Sequence, residues 1–137
     1  MRLTVDTNVL LRAAILDDPV QGKVAADLLN RAGVIAVPLP VLCEFAWVLA
    51  RGYRRRAAEI VAMVRSLLAS VTVQVDRSAA EAGLAMLEAG GDFADGIIAF
   101  EGRRLGGTVF ASFDRRAVEL IAAAGGETRL LGSADHD

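Results

Sequence analysis

The sequence predicts an α/β fold, with a short, mostly parallel central sheet of four to five strands flanked by helices. Three observations predict it. Short β-branched runs alternate with longer segments whose apolar residues recur at helical spacing, the pattern of strands joined by helical crossovers. A chain of 137 residues is long enough to close one sizeable core, without disulfides or structural metal. No internal repeat, low-complexity tract or linker interrupts it, so a single domain over residues 1–132 and a loose tail over 133–137 are expected.

Strands are expected near Leu3 to Val5, Val34 to Val37, Val71 to Val75, Thr108 to Ala111 and Thr128 to Leu131. Between them, Val24, Leu28 and Leu29 mark the inner face of one helix, and Ile60, Val61, Val64, Leu67 and Leu68 that of another. The segment Leu39 to Ala50 is apolar on nearly every side, which predicts burial by the core or by a partner. Residues 32–50 have the only membrane-like hydropathy, but Pro38 and Pro40 divide them into a strand and a separate helix. Ala82, Ala85, Met86 and Ala89 belong to a helix that Gly90 and Gly91 end before another starts at Asp92. Val118, Ile121 and Ala124 give the last helix its apolar face.

Composition removes much chemistry. Cys43 is the only cysteine and His136, one residue from the end, the only histidine. That excludes a Ser-His-Asp or Cys-His apparatus, a histidine-ligated zinc and an intramolecular disulfide. A single cysteine suits a reducing compartment, and Arg2, Asp6 and Arg12 interrupt any export signal, so a cytoplasmic protein with no membrane span is expected. Net charge is −2, so contact with nucleic acid would have to be local rather than driven by bulk positive charge. Lys23 is the only lysine; arginine, which carries the rest of the positive charge, suits bidentate phosphate contacts.

Four acids stand out. Asp6 closes the first strand, where ligands gather in open parallel sheets, although an N-cap for the following helix explains it equally well. Glu44 lies within Val41-Leu42-Cys43-Glu44-Phe45-Ala46-Trp47; burial on an apolar helix would be costly without a partner or metal. An ion pair, or a helix turned to meet water at this one position, is the alternative. Asp95, three residues after Asp92 at a helix start, resembles a capping box, but Asp is not the Glu or Gln usual there. Asp114 follows its strand as Asp6 does, and could cap the last helix. If those two strands are neighbours, about 4.8 Å separates them, close enough for both carboxylates to share an ion. Crowded carboxylates repel unless a divalent cation neutralises them, and an all-oxygen set suits Mg²⁺ or Mn²⁺ better than zinc.

Val5-Asp6-Thr7-Asn8-Val9-Leu10, Leu42-Cys43-Glu44, Asp92-Phe93-Ala94-Asp95-Gly96-Ile97-Ile98-Ala99 and Ser112-Phe113-Asp114 occur in an order and spacing that resembles the PIN-domain ribonucleases. They are most similar to the VapC toxins of toxin–antitoxin pairs. The resemblance covers almost the whole chain. It implies a PIN-like fold and an acidic metal site on Asp6, Glu44, Asp95 and Asp114, with Asn8 and Ser112 in support and Asp92 as a second-rank acid. It further implies metal-dependent cleavage of RNA by water, a homodimer, and a VapB-like antitoxin covering the acidic groove.

Two other readings compete. Aspartate-based phosphoryl transfer would need a second acid where Asn8 stands and a late lysine, and Lys23 comes far too early. A PIN-like module that binds RNA or protein without cutting has no physical reason to keep four mutually repelling acids. Arg51, Arg54, Arg55 and Arg56 form the densest basic run, with Arg103, Arg104, Arg115 and Arg116 near the acids in sequence. Most are expected to be solvated helix faces, some to meet RNA phosphates. Trp47 and Tyr53 could stack on bases, with buried packing favoured for Trp47.

Overall fold

The computed structural model describes residues 1–132; the expected tail, 133–137, lies outside the described residues. Every strand predicted from sequence forms, each within a few residues of its expected bounds, and all observed pairing is parallel. The chain divides into two compact units, Met1–Ala80 and the residues from Glu81 onward.

In the first unit the order is β1 (Arg2–Thr4), α1 (Thr7–Ala14), α2 (Pro19–Arg31), β2 (Val34–Ala36), α3 (Leu39–Arg51), α4 (Ala57–Ala69) and β3 (Val73–Gln74). The strands form one sheet in the order β1-β2-β3, with Leu3 opposite Ile35 and Ile35 opposite Val73. Parallel neighbours need a crossover rather than a hairpin, and the helix pairs α1–α2 and α3–α4 supply it. Apart from α3, which follows Pro38 without a side-chain cap, the helices of this unit start where a carboxylate accepts from a free backbone N–H. Asp18 accepts from the Gln21 N–H at 3.0 Å to open α2, and the Glu59 carboxylate reaches back to the Arg56 N–H at 3.1 Å to open α4.

Leu42, Phe45, Ala46 and Leu49 bury one face of α3 at spacings of three and four. Pro40, Glu44, Trp47, Ala50 and Arg51 of that helix are exposed. The core of the chain therefore does not bury this helix all round: Glu44 is exposed, and Trp47, for which the sequence favours buried packing, is 55% exposed. Helical geometry explains this, because four inward positions occupy one arc and the apolar residues outside it have no layer to meet. In α2 the buried residues are Gly22 and Ala25, while Val24 is 65% exposed. A Cβ at Gly22 would lie 3.1 Å from the Arg12 carbonyl oxygen, so a small residue, not the valine, faces α1 there. The membrane-like stretch is split as expected, into β2 and the 13-residue α3. Among the described residues no helix is long and apolar enough to cross a membrane.

α5 (Arg77–Glu88) carries the chain from the first unit into the second, which continues with α6 (Phe93–Arg104), β4 (Val109–Ser112), α7 (Arg115–Ala123) and β5 (Glu127–Leu130). β4 and β5 pair in parallel, Phe110 opposite Thr128. Within the first unit β1 pairs with β2, and within the second β4 pairs with β5. Gly90, with φ +96°, closes α5 in the left-handed conformation that glycine adopts without strain. The close approach of α6 to α5 depends on two further glycines. A Cβ at Gly83 would lie 2.7 Å from the Phe93 ring, and one at Gly96 would collide with the Ala82 carbonyl and lie 2.8 Å from Met86 Cβ.

Candidate active site

In the first unit, chain geometry brings Asp6 and Glu44 together. Asp6 leaves β1 and caps α1, its Oδ1 accepting from the Val9 N–H at 3.1 Å. Capping and ligation are compatible, since a carboxylate has more acceptor sites than one N–H occupies. Glu44 projects from the outer face of α3. Both acids, with Thr7, Asn8, Pro40 and Val41, line an open pocket of about 290 Å³. Thr7, only 6% exposed, is the single buried polar residue among the described residues. Sequence reasoning missed it and Pro40; a threonine at a helix start reads as ordinary capping chemistry, and nothing in the sequence marks it as buried.

The second unit gathers the later acids. Asp92 caps α6, accepting from the Ala94 N–H at 2.8 Å. Asp114 caps α7, accepting from the Ala117 N–H at 3.2 Å. The Ser112 hydroxyl accepts from the Asp114 N–H at 2.9 Å, fixing the backbone from which that carboxylate projects. Asp95 does not complete a capping box; it sits half-buried on the first turn of α6, beside the Gly96 contact with α5. Burial raises its pKa above the ordinary aspartate value of 3.8, and the negative charges of Asp92 and then Asp114 raise it further. Among the described residues no arginine, lysine or N-terminal amine forms an ion pair with Asp6, Glu44, Asp92, Asp95 or Asp114.

These acids suit a hard, hydrated cation. Among the described residues no three or more His, Cys, Asp or Glu side chains are grouped so as to hold a metal ion by themselves. Zinc or calcium would want such a group; Mg²⁺ keeps several waters and is bound through one or two carboxylates plus substrate phosphate. The open Asp6–Glu44 pocket and the cation-free surroundings of Asp95 fit that mode.

The basic residues divide by what they touch. Arg55 and Arg56 pair with Glu59 at 3.5 and 3.3 Å, and Arg104 pairs with Glu101 at 3.8 Å while its guanidinium covers the Phe100 ring at 4.5 Å. Tyr53 donates to Asp17 Oδ2 at 2.9 Å, and Arg12 lies 3.5 Å from both Tyr53 Oη and Asp17 Oδ1. That network ties α1 to the loop after α3 and anchors the Tyr53 hydroxyl. Trp47 is the aromatic side chain left open on α3.

No individual curated protein matches the chain. The sequence pattern of the PIN domain matches residues 3–123, continuous through both units and through Asp6, Glu44, Asp95 and Asp114. Members of that family are generally nucleases, in keeping with an acidic site that lacks histidine and thiolate. With five short parallel strands and seven helices among the described residues and a family match over most of its length, the chain belongs to the PIN-domain family.

Proposed function

We propose that the protein is a metal-dependent endoribonuclease in which Asp6, Glu44, Asp95 and Asp114 serve a single reaction, the hydrolysis of RNA phosphodiester bonds. The observation that carries the reading is Asp95, a half-buried carboxylate with no cationic partner, whose charge is opposed by Asp92 and Asp114. A protein gains nothing in stability from such an arrangement; a bound Mg²⁺ or Mn²⁺ would offset it. Asp6, Asp95 and Asp114 are the proposed ligands of one or two such ions, Glu44 would hold a second ion or orient the water, and Asp92 ranks second among the acids.

When bound, the ion supplies Lewis acidity, lowering the pKa of a water and neutralising charge that develops on the phosphate. The residues of the chain do the rest. Asp6 and Glu44 line an open pocket in which a carboxylate oxygen can accept a proton from water. Asn8, on the same pocket, offers a side-chain N–H to a phosphate oxygen. Ser112 holds the Asp114 backbone in place through its hydrogen bond. No histidine takes part.

On the same resemblance, the protein acts as the toxin of a toxin–antitoxin pair, as a homodimer restrained by a VapB-like antitoxin. The test is incubation of purified protein with mixed cellular RNA in Mn²⁺ or Mg²⁺, then with chelator. Cleavage is expected in metal and none in chelator, and Asp95→Asn should lower the metal-dependent rate at least about a hundredfold. Full activity in a folded Asp95→Asn protein would remove the assignment.

A further inference from the structure

α3 presents a row that packing of the first unit does not use. Pro40, Glu44, Trp47 and Arg51 are all exposed. At 3.6 residues per turn they fall within about 60° of arc, a single stripe along the outer face of the helix. Glu44 lines the acid pocket with Asp6 and Asn8. One turn on, about 4.5 Å along the axis, comes Trp47, and about 10.5 Å from Glu44 comes Arg51. Arg51 pairs with no acid among the described residues, nor does Arg54, in the loop that follows.

Acid, aromatic and cation thus follow one another at a spacing that matches a polynucleotide. Successive nucleotides of a stacked strand rise about 3.4 Å, so Glu44 to Arg51 spans about three of them. Resting on the nuclease reading above, we propose that this stripe is the track for single-stranded RNA. Trp47 stacks on the base next to the phosphate at the acid pocket, and Arg51 contacts a phosphate further along the strand. An exposed indole favours an unpaired base, because in a duplex the base faces are already stacked on their neighbours. A second protein copy suits the stripe less well, since interface centres are depleted in charged residues and this row carries Glu44 and Arg51. Trp47 is a positioning residue here; it sets where the strand lies and takes no part in bond cleavage.

Trp47 is the only tryptophan in the chain, so its emission reports on the track directly. The experiment titrates a short fluorescein-labelled single-stranded RNA into the full-length protein in chelator, reading tryptophan emission and fluorescein anisotropy together. Saturable quenching that follows the anisotropy is expected. Trp47→Ala should weaken binding about 5- to 100-fold, with Trp47→Phe recovering most of it, and Arg51→Ala should weaken binding while making it less sensitive to added salt. RNA that binds by anisotropy without quenching, or equally tightly to Trp47→Ala, overturns the track and leaves the nuclease reading standing. Emission that changes with protein concentration rather than RNA assigns the stripe to self-association and also overturns it. Absence of both RNA binding and metal-dependent cleavage would defeat the nuclease reading, and the track with it.

Discussion

Asp95 is held at a cost, and the direction of its pKa shift says when. Its pKa in the folded protein lies above the unfolded value, so the folded state binds the proton more tightly. Stability therefore falls as pH rises through the interval above 3.8, and the full penalty is present at neutral pH. Asp95→Asn should raise the melting temperature at pH 7 in chelator while abolishing cleavage, with the gain disappearing at acid pH. A thermal melt at the two pH values checks it. Asp114→Asn should also bring the Asp95 pKa down, readable by carboxyl NMR titration, because it removes one opposing charge and Asn still caps α7. The sequence identified Asp6, Asp92 and Asp114 as acids that are either capping or catalytic, and the structure shows the caps in place. For Glu44 the sequence leaves burial with a partner or metal, an ion pair, and a helix turned to meet water all open; the structure shows the water-facing arrangement, because burial depends on which arc of α3 faces the core.

Among the elements, the α5–α6 crossing is the least tolerant of change. Gly96→Ala would drive a methyl against the Ala82 carbonyl and Met86, costing about 1–3 kcal/mol as overpacking. The same change displaces the first turn of α6, so metal-dependent activity should fall more steeply than the unfolding midpoint; urea unfolding read beside RNA cleavage separates the two effects. Glu59 is the counterpart in α4. Its pKa is lowered first by the backbone hydrogen bond from Arg56 and then by the guanidinium of the same residue. The contribution is present above pH 4.5, the unfolded value, and is lost as pH falls through the lower folded value. Glu59→Gln should leave the acid limb of the stability profile shallower. Element positions were legible because helical and strand periods differ. The exposed side of α2 was not, since Val24 looks like core until Gly22 is seen to let α1 approach so closely.

For the whole molecule, the PIN-domain match runs from residue 3 to residue 123, through both compact units. Composition could bound the chemistry, because one remote histidine and one cysteine leave carboxylates as the remaining route to hydrolysis. Which acids share a pocket was beyond the sequence, since Asp6 and Glu44 meet only once β1, α1 and α3 are assembled. A ligand that binds only the folded chain stabilises it, so Mn²⁺ should raise the melting temperature of the wild-type protein and do so less for Asp95→Asn. The most direct measurement is a Mn²⁺ titration followed by electron paramagnetic resonance on wild type, Asp6→Asn and Asp95→Asn. If acids from the two ends of the chain serve one centre, wild type takes up Mn²⁺ and each single substitution weakens that uptake. Uptake unchanged in both folded variants, or absent from the wild type, would contradict it.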